Sequence, residues 1–131
     1  MLTLCRYVGG RDGEPFEFGT ADCLTFVAGA ELVLGQADPI AIFRGRYNSA
    51  FSARRLMRAY GGLGGMLGAI AEEIDAGQAS SGDWALVENW DGSESVGLVL
   101  GSTIWAKGRI GVTSCSRARA KQFYRPHKWL S

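Results

Sequence analysis

Apolar positions fall at helical spacing in the first part of the chain and at strand spacing after Ser80-Ser81-Gly82. Leu2 to Val8 reads as a short helix. Gly9 to Gly19, with four glycines and Pro15, reads as a loop. Cys23, Phe26, Val27, Ala30 and Leu34 recur every three or four residues, so a helix is predicted from about Ala21 to Leu34. It is apolar on most sides and therefore central and buried. Asp38-Pro39 has the form of a helix start. Phe43 to Tyr47 reads as a loop with two buried aromatics. Ser52 is placed to cap a helix running to about Tyr60, closed by Gly61-Gly62. A further helix is predicted near Gly65 to Ala76, with Met66, Leu67, Ile70 and Ile74 on one side.

The second part reads as short strands. These are Trp84 to Val87, Val96 to Leu100, Thr103 to Ala106, Ile110 to Thr113 and Gln122 to Tyr124. Asn89 to Ser93 and Gly101-Ser102 are turns, and a helical turn fits between Ser116 and Lys121. Consecutive strands with short turns imply an antiparallel meander. The expected fold class is α+β: N-terminal helices, one of them central and buried, packed on a small antiparallel sheet of about five strands.

Composition narrows the functional classes. The 131 residues suit one domain, spanning 1–131; 47% are hydrophobic and 21% charged, which allows a core without staples. Fourteen basic and thirteen acidic residues leave a formal charge of +1, so no whole-chain argument favours nucleic acid or an acidic membrane. Locally, Arg117, Arg119, Lys121, Arg125 and Lys128 make the C-terminal segment basic; it is read as a solvated face, with docking of an acidic partner as the sharper reading. No apolar stretch approaches membrane-spanning length, and Met1 to Arg6 lacks the form of a signal peptide. The expectation is a chain folded in a reducing cytoplasm, with its cysteines as thiols.

Three cysteines, Cys5, Cys23 and Cys115, make no disulfide framework and no Cys-x-x-Cys. They would have to converge in the fold to hold a metal or an iron–sulfur cluster, and no cofactor is expected. Cys23 carries more chemistry. It follows a glycine-bearing turn and stands just inside a predicted helix start. There the dipole and free N–H groups favour a thiolate and can cradle an oxyanion. Asp22 is the cap. A small buried hydrophobe is the plainer reading of the same cysteine.

Pro15-Phe16-Glu17-Phe18-Gly19-Thr20-Ala21-Asp22-Cys23 resembles the Pro-Tyr-x-x-Gly…Asp-Cys segment of NlpC-type papain-like cysteine amidases. Gly82-Asp83-Trp84-Ala85-Leu86-Val87 is similar to that family's Gly-Asp-Leu-Val strand, and Ser95-Val96-Gly97-Leu98-Val99 to its His-Val-Gly-Ile strand. With Phe43-Arg-Gly-Arg-Tyr47 and the Gly-Gly-Leu stretch added, the order resembles small phage and prophage proteins of NlpC-like type encoded among tail genes. The resemblance implies Cys23 as nucleophile. It also places Ser95 where the family has its histidine base, and a serine hydroxyl cannot take up a proton at neutral pH. Phe16 stands where the amidases often carry tyrosine. His127, the single histidine, lies in the basic tail.

The resemblance therefore implies a degenerate amidase fold: a structural component of a bacteriophage tail tip or baseplate. It would act by contact with other tail proteins, in the virion, after assembly in the host cytoplasm. The alternatives are an active tail-associated peptidoglycan amidase or endopeptidase, with His127 or a neighbouring subunit supplying the base, and a tail assembly factor. Neither nucleic acid nor membrane insertion is expected. Trp84, Trp90, Trp105 and Trp129 would suit a glycan groove; Trp84 and Trp105 read better as core residues of neighbouring strands, and Trp90, in a turn, as an exposed contact. Gly61 to Gly65 lacks the Gly-Lys-Ser/Thr ending of a phosphate loop and reads as a helix connection.

Overall fold

The computed structural model describes residues 2–126. Four helices come first: α1 (Leu2–Gly10), α2 (Cys23–Val33), α3 (Ala50–Ala59) and α4 (Leu63–Ile70). Strands β1 (Ala71–Ile74), β2 (Trp84–Glu88), β3 (Glu94–Leu100), β4 (Thr103–Lys107), β5 (Val112–Ser116) and β6 (Ala120–Pro126) follow, with one 3₁₀ turn at Arg117–Arg119. The fold class is α+β, with one six-stranded antiparallel sheet in the order β1-β6-β2-β3-β4-β5. No helix among the described residues is long and apolar enough to cross a membrane.

Three expectations are corrected. The helix read from Gly65 to Ala76 stops at Ile70, and Ala71–Ile74 is a strand paired with β6. Ala-Glu-Glu is good helix-forming sequence, and pairing overrides that propensity. Ala71 and Ile74 are three apart, so a strand turns them to opposite faces: Ala71 joins the core under the helices and Ile74 the core on the other face. Asp38-Pro39 starts no helix. It opens a run of turns in which Phe43 N–H and Arg44 N–H both reach Ile40 O, while Ile40 and Phe43 fill the core. Ser49, not Ser52, is the cap of α3; Ser52 sits one turn in and bonds back to the Ser49 N–H, completing a capping box.

The meander is also incomplete. β2 to β5 pair in chain order, but β6 returns between β1 and β2. The return is short. Ser116 and Ala120 are four residues apart, at most about 14 Å of chain, whereas four strand spacings in a flat sheet need about 19 Å. The sheet must curl. Its two faces then enclose two cores. Trp84, Leu86, Val96, Leu98 and Tyr124 pack under the helices, while Ala85, Val87, Val99, Ile104 and Phe123 fill the curl. Alternate residues separate cleanly between the two, as strand geometry requires. Trp84 and Trp105 flank Leu98 from β2 and β4, on the helix side.

α2 is the central helix. It contributes Leu24, Phe26, Val27, Ala28 and Ala30 to the core. Leu32, Val33 and Leu34, at its end, are exposed.

Candidate active site

The turn before α2 is built around one carboxylate. Asp22 is 3% exposed. Its Oδ1 accepts from Thr25 N–H at 2.9 Å, and the Thr25 hydroxyl accepts from Asp22 N–H at 2.9 Å, a reciprocal cap. Its Oδ2 accepts from Gly19 N–H at 2.8 Å and from the Tyr47 hydroxyl at 2.7 Å. Gly19 has φ +88°, and a Cβ there would stand 2.5 Å from Tyr47 O, so glycine is required. The glycine, Asp22 and Tyr47 form one local lock across 25 residues of sequence separation.

Cys23 is the first residue of α2 and is half-buried. Burial pushes its thiol up to about 11. The N–H of Val96 opposes this, the negative charge of Asp22 adds to it, and the N–H groups of Cys23 and Leu24 oppose it weakly. Desolvation outweighs the helix start, and the sulfur stays protonated at neutral pH.

Cys23 opens into a hollow of about 280 Å³ lined by Phe16, Phe18, Tyr47, Leu56, Met57 and Met66, and at its polar end by Asn89, Glu94, Ser95 and Lys107. The structure thus brings Cys23, Asp22 and Ser95 to one hollow. The Ser95 hydroxyl accepts from Asn89 Nδ2 at 2.9 Å. By alternation Ser95 belongs with Gly97 and Val99 on the face away from α2, and it reaches the hollow because it lies at the start of β3. Phe16 packs edge-on against Phe18, ring centroids 4.8 Å apart.

Each group at the hollow that could take a proton is already engaged. Asp22 carries the three bonds above. Glu94 pairs with Lys121 at 2.8 Å. The Tyr47 phenol donates to Asp22, and burial with that negative neighbour pushes its pKa far up. Lys107 is 6% exposed, and its Nζ donates to the carbonyls of Glu14, Gly108 and Gly111. The sequence reading missed Lys107 and Tyr47. Lys107 bonds across 93 residues, which leaves no local signal. Tyr47 sat within the distinctive Phe43–Tyr47 segment, but its bond to Asp22 is a tertiary contact.

Trp90 stands apart from this packing. It is 96% exposed, and the Arg119 guanidinium lies over its ring at 5.4 Å. With Ser95, Asn89 and Cys115 it lines a second hollow, of about 480 Å³. Cys5 lies on α1 and borders a third hollow, away from Cys23 and Cys115. No group of three metal-binding side chains forms among the described residues.

Most of the basic segment is used within the chain. Arg117 donates to Ala76 O at 2.7 Å and Ala79 O at 2.5 Å. Arg125 grips Asp83, of the Gly82-Asp83 motif, with bonds of 3.0 and 2.8 Å. Arg119 donates to Glu88 O, and Lys121 pairs with Glu94. Lys128, His127 and Trp129 lie outside the described residues.

Residues 2–126 match the family described as Domain of unknown function (DUF6950). The chain belongs to this family. The match takes in the whole of α1 through β6, so the three hollows and the Asp22 lock are parts of a DUF6950 domain. No curated protein matches the chain.

Proposed function

We propose that this DUF6950 chain is a structural component of a bacteriophage tail tip or baseplate. It is built on a degenerate NlpC-like amidase fold and works by protein–protein contact. The resemblance of Gly19-x-x-Asp22-Cys23, Phe43–Tyr47, Gly82-Asp83 and Ser95-Val96-Gly97 supplies the phage and amidase parts of the reading. One observation carries the loss of chemistry. At the hollow, burial raises the Cys23 thiol to about 11, and the same hollow is lined by Ser95, the residue that the resemblance puts in place of the base. A cysteine nucleophile needs a depressed pKa or a base within hydrogen-bond reach, and the described residues supply neither.

The test pairs two measurements. Cys23→Ala in the phage genome that encodes the chain is expected to leave plaque number and tail assembly unchanged, with the protein retained in purified tails. Purified protein is expected to release no muropeptides from cell walls. Cysteine-dependent release, or loss of plaques with intact tails, would establish the hydrolase instead. Absence from finished particles would favour an assembly factor.

A further inference from the structure

β5 is an edge strand whose outer rim is open. The bonds from Arg117 N–H to Ser102 O and from Gly108 N–H to Gly111 O fix the hydrogen-bonded rows between β4 and β5. Thr113 and Cys115 therefore face β4, and the N–H and C=O groups of Val112, Ser114 and Ser116 face outward. None of these outward groups has a backbone partner among the described residues. Edge strands are usually guarded by proline, charge or a bulge. Val112-Thr-Ser-Cys-Ser116 has no proline or charge, and it pairs with β4 in unbroken register.

The side of this strand that faces the larger hollow is cationic, while Asp12 lies beside Val112 on the other. The 480 Å³ hollow runs past Thr113, Ser114 and Cys115 and is lined by Arg109 and Arg119, and by Lys107, whose ammonium is spent on three carbonyls; no aspartate or glutamate lines it. Arg109, just before β5, is exposed and makes no ion pair among the described residues. Arg119, just after it, lies over Trp90. Trp90 at 96% and Ile110 at 74% exposure add apolar surface. Tryptophan and arginine are the residue types that most often anchor interfaces.

We infer that β5 and its groove dock an extended acidic segment of another protein, which adds as a strand to the Val112–Ser116 edge while Arg109 and Arg119 take its carboxylates. Main-chain bonds supply affinity in this mode of recognition, and side chains supply selectivity. Charge decides against a second copy of this chain. Antiparallel self-pairing of β5 brings the Arg109 end of one copy toward the Arg117–Arg119 turn of the other. Like charges across an interface suppress that pairing. The inference does not depend on the site at Cys23 or on a place in a tail.

The experiment measures amide hydrogen exchange by NMR with two probe peptides, one alternating threonine with glutamate and one alternating threonine with lysine. The glutamate peptide is expected to slow exchange at Val112, Ser114 and Ser116 by about tenfold or more, and the lysine peptide to leave it unchanged. Ser114→Pro removes one outward N–H without touching the β4 pairing, and should abolish the protection. Arg109→Glu with Arg119→Glu, both on the surface, should transfer the preference to the lysine peptide. Equal protection by both peptides, no protection by either, or a concentration-dependent dimer without peptide would overturn the proposal.

Discussion

The hollow at Cys23 and the groove beside β5 adjoin, sharing Phe16, Asn89, Ser95 and Lys107, yet they treat their polar groups oppositely. At Cys23 the polar groups are spent inside the chain: Asp22 on three donors, Lys107 on three carbonyls, Glu94 on Lys121. Beside β5 the backbone rim and Arg109 are unspent, and Trp90 lies open. A site satisfied from within holds the fold together, whereas one left unsatisfied at the surface has bonding capacity for a partner. The contrast assigns stability to the first region and recognition to the second.

The hardest test of that contrast is Asp22→Ala. It removes a helix cap, worth about 1 kcal/mol, and leaves the buried Tyr47 hydroxyl and Gly19 N–H without their charged acceptor, worth about 2 kcal/mol more. Urea unfolding should show a loss of about 3 kcal/mol, and heating a Tm lower by roughly 10 °C. Tyr47→Phe, which deletes one of the bonds, should cost about 1 kcal/mol. A loss below that for Asp22→Ala would mean the carboxylate is not what holds the turn.

Alkaline unfolding comes next. Below pH about 9, the ordinary value for the thiol, folded and unfolded chains both carry Cys23 protonated. Above it the unfolded chain releases the proton first, while the folded chain holds it until about 11. The unfolded state then binds fewer protons, so stability falls as pH rises through that window. The full fall is on the order of 2 kcal/mol. Tyr7, raised by burial to about 12, and Tyr47 add losses of the same sign at higher pH. Cys23→Ala should flatten the fall between pH 9 and 10 and leave the tyrosine part. An unchanged slope in that variant would place the thiol in water and reopen its chemistry.

The fold was legible in the chain where spacing is local. α1, α2, the turn at Asn89–Ser93 and strands β2 to β4 follow from period and turn residues. β1 was not, because Ile70 and Ile74 keep helical spacing and only the partner strand β6 makes Ala71–Ile74 extended. The place of β6 was hidden for the same reason: sheet order depends on curl, not on neighbours in sequence. At the site, Asp22 could be read as a cap from its position before an apolar run. Its bonds to Tyr47 and Gly19, and the grip of Lys107 on Glu14, join residues that no spacing rule connects.

Trp90 gives the smallest expected effect on stability, and the value of the test lies in that smallness. A tryptophan normally contributes most of its energy through buried area. Trp90 is 96% exposed, so truncation removes little area that folding had taken from water. Its contact with Arg119 is a cation over a ring at a solvent-facing site, worth about 0.5–1 kcal/mol at most, and Arg119 keeps its bond to Glu88 O when the ring is gone. Trp90→Ala should therefore lower the unfolding free energy by less than about 1 kcal/mol in urea, while removing a solvent-exposed, red-shifted component from the tryptophan fluorescence. A larger loss would show that the Trp90 turn belongs to the packed interior. The division between a region satisfied within the chain and a region open to a partner would then fail at the residue that marks it most plainly.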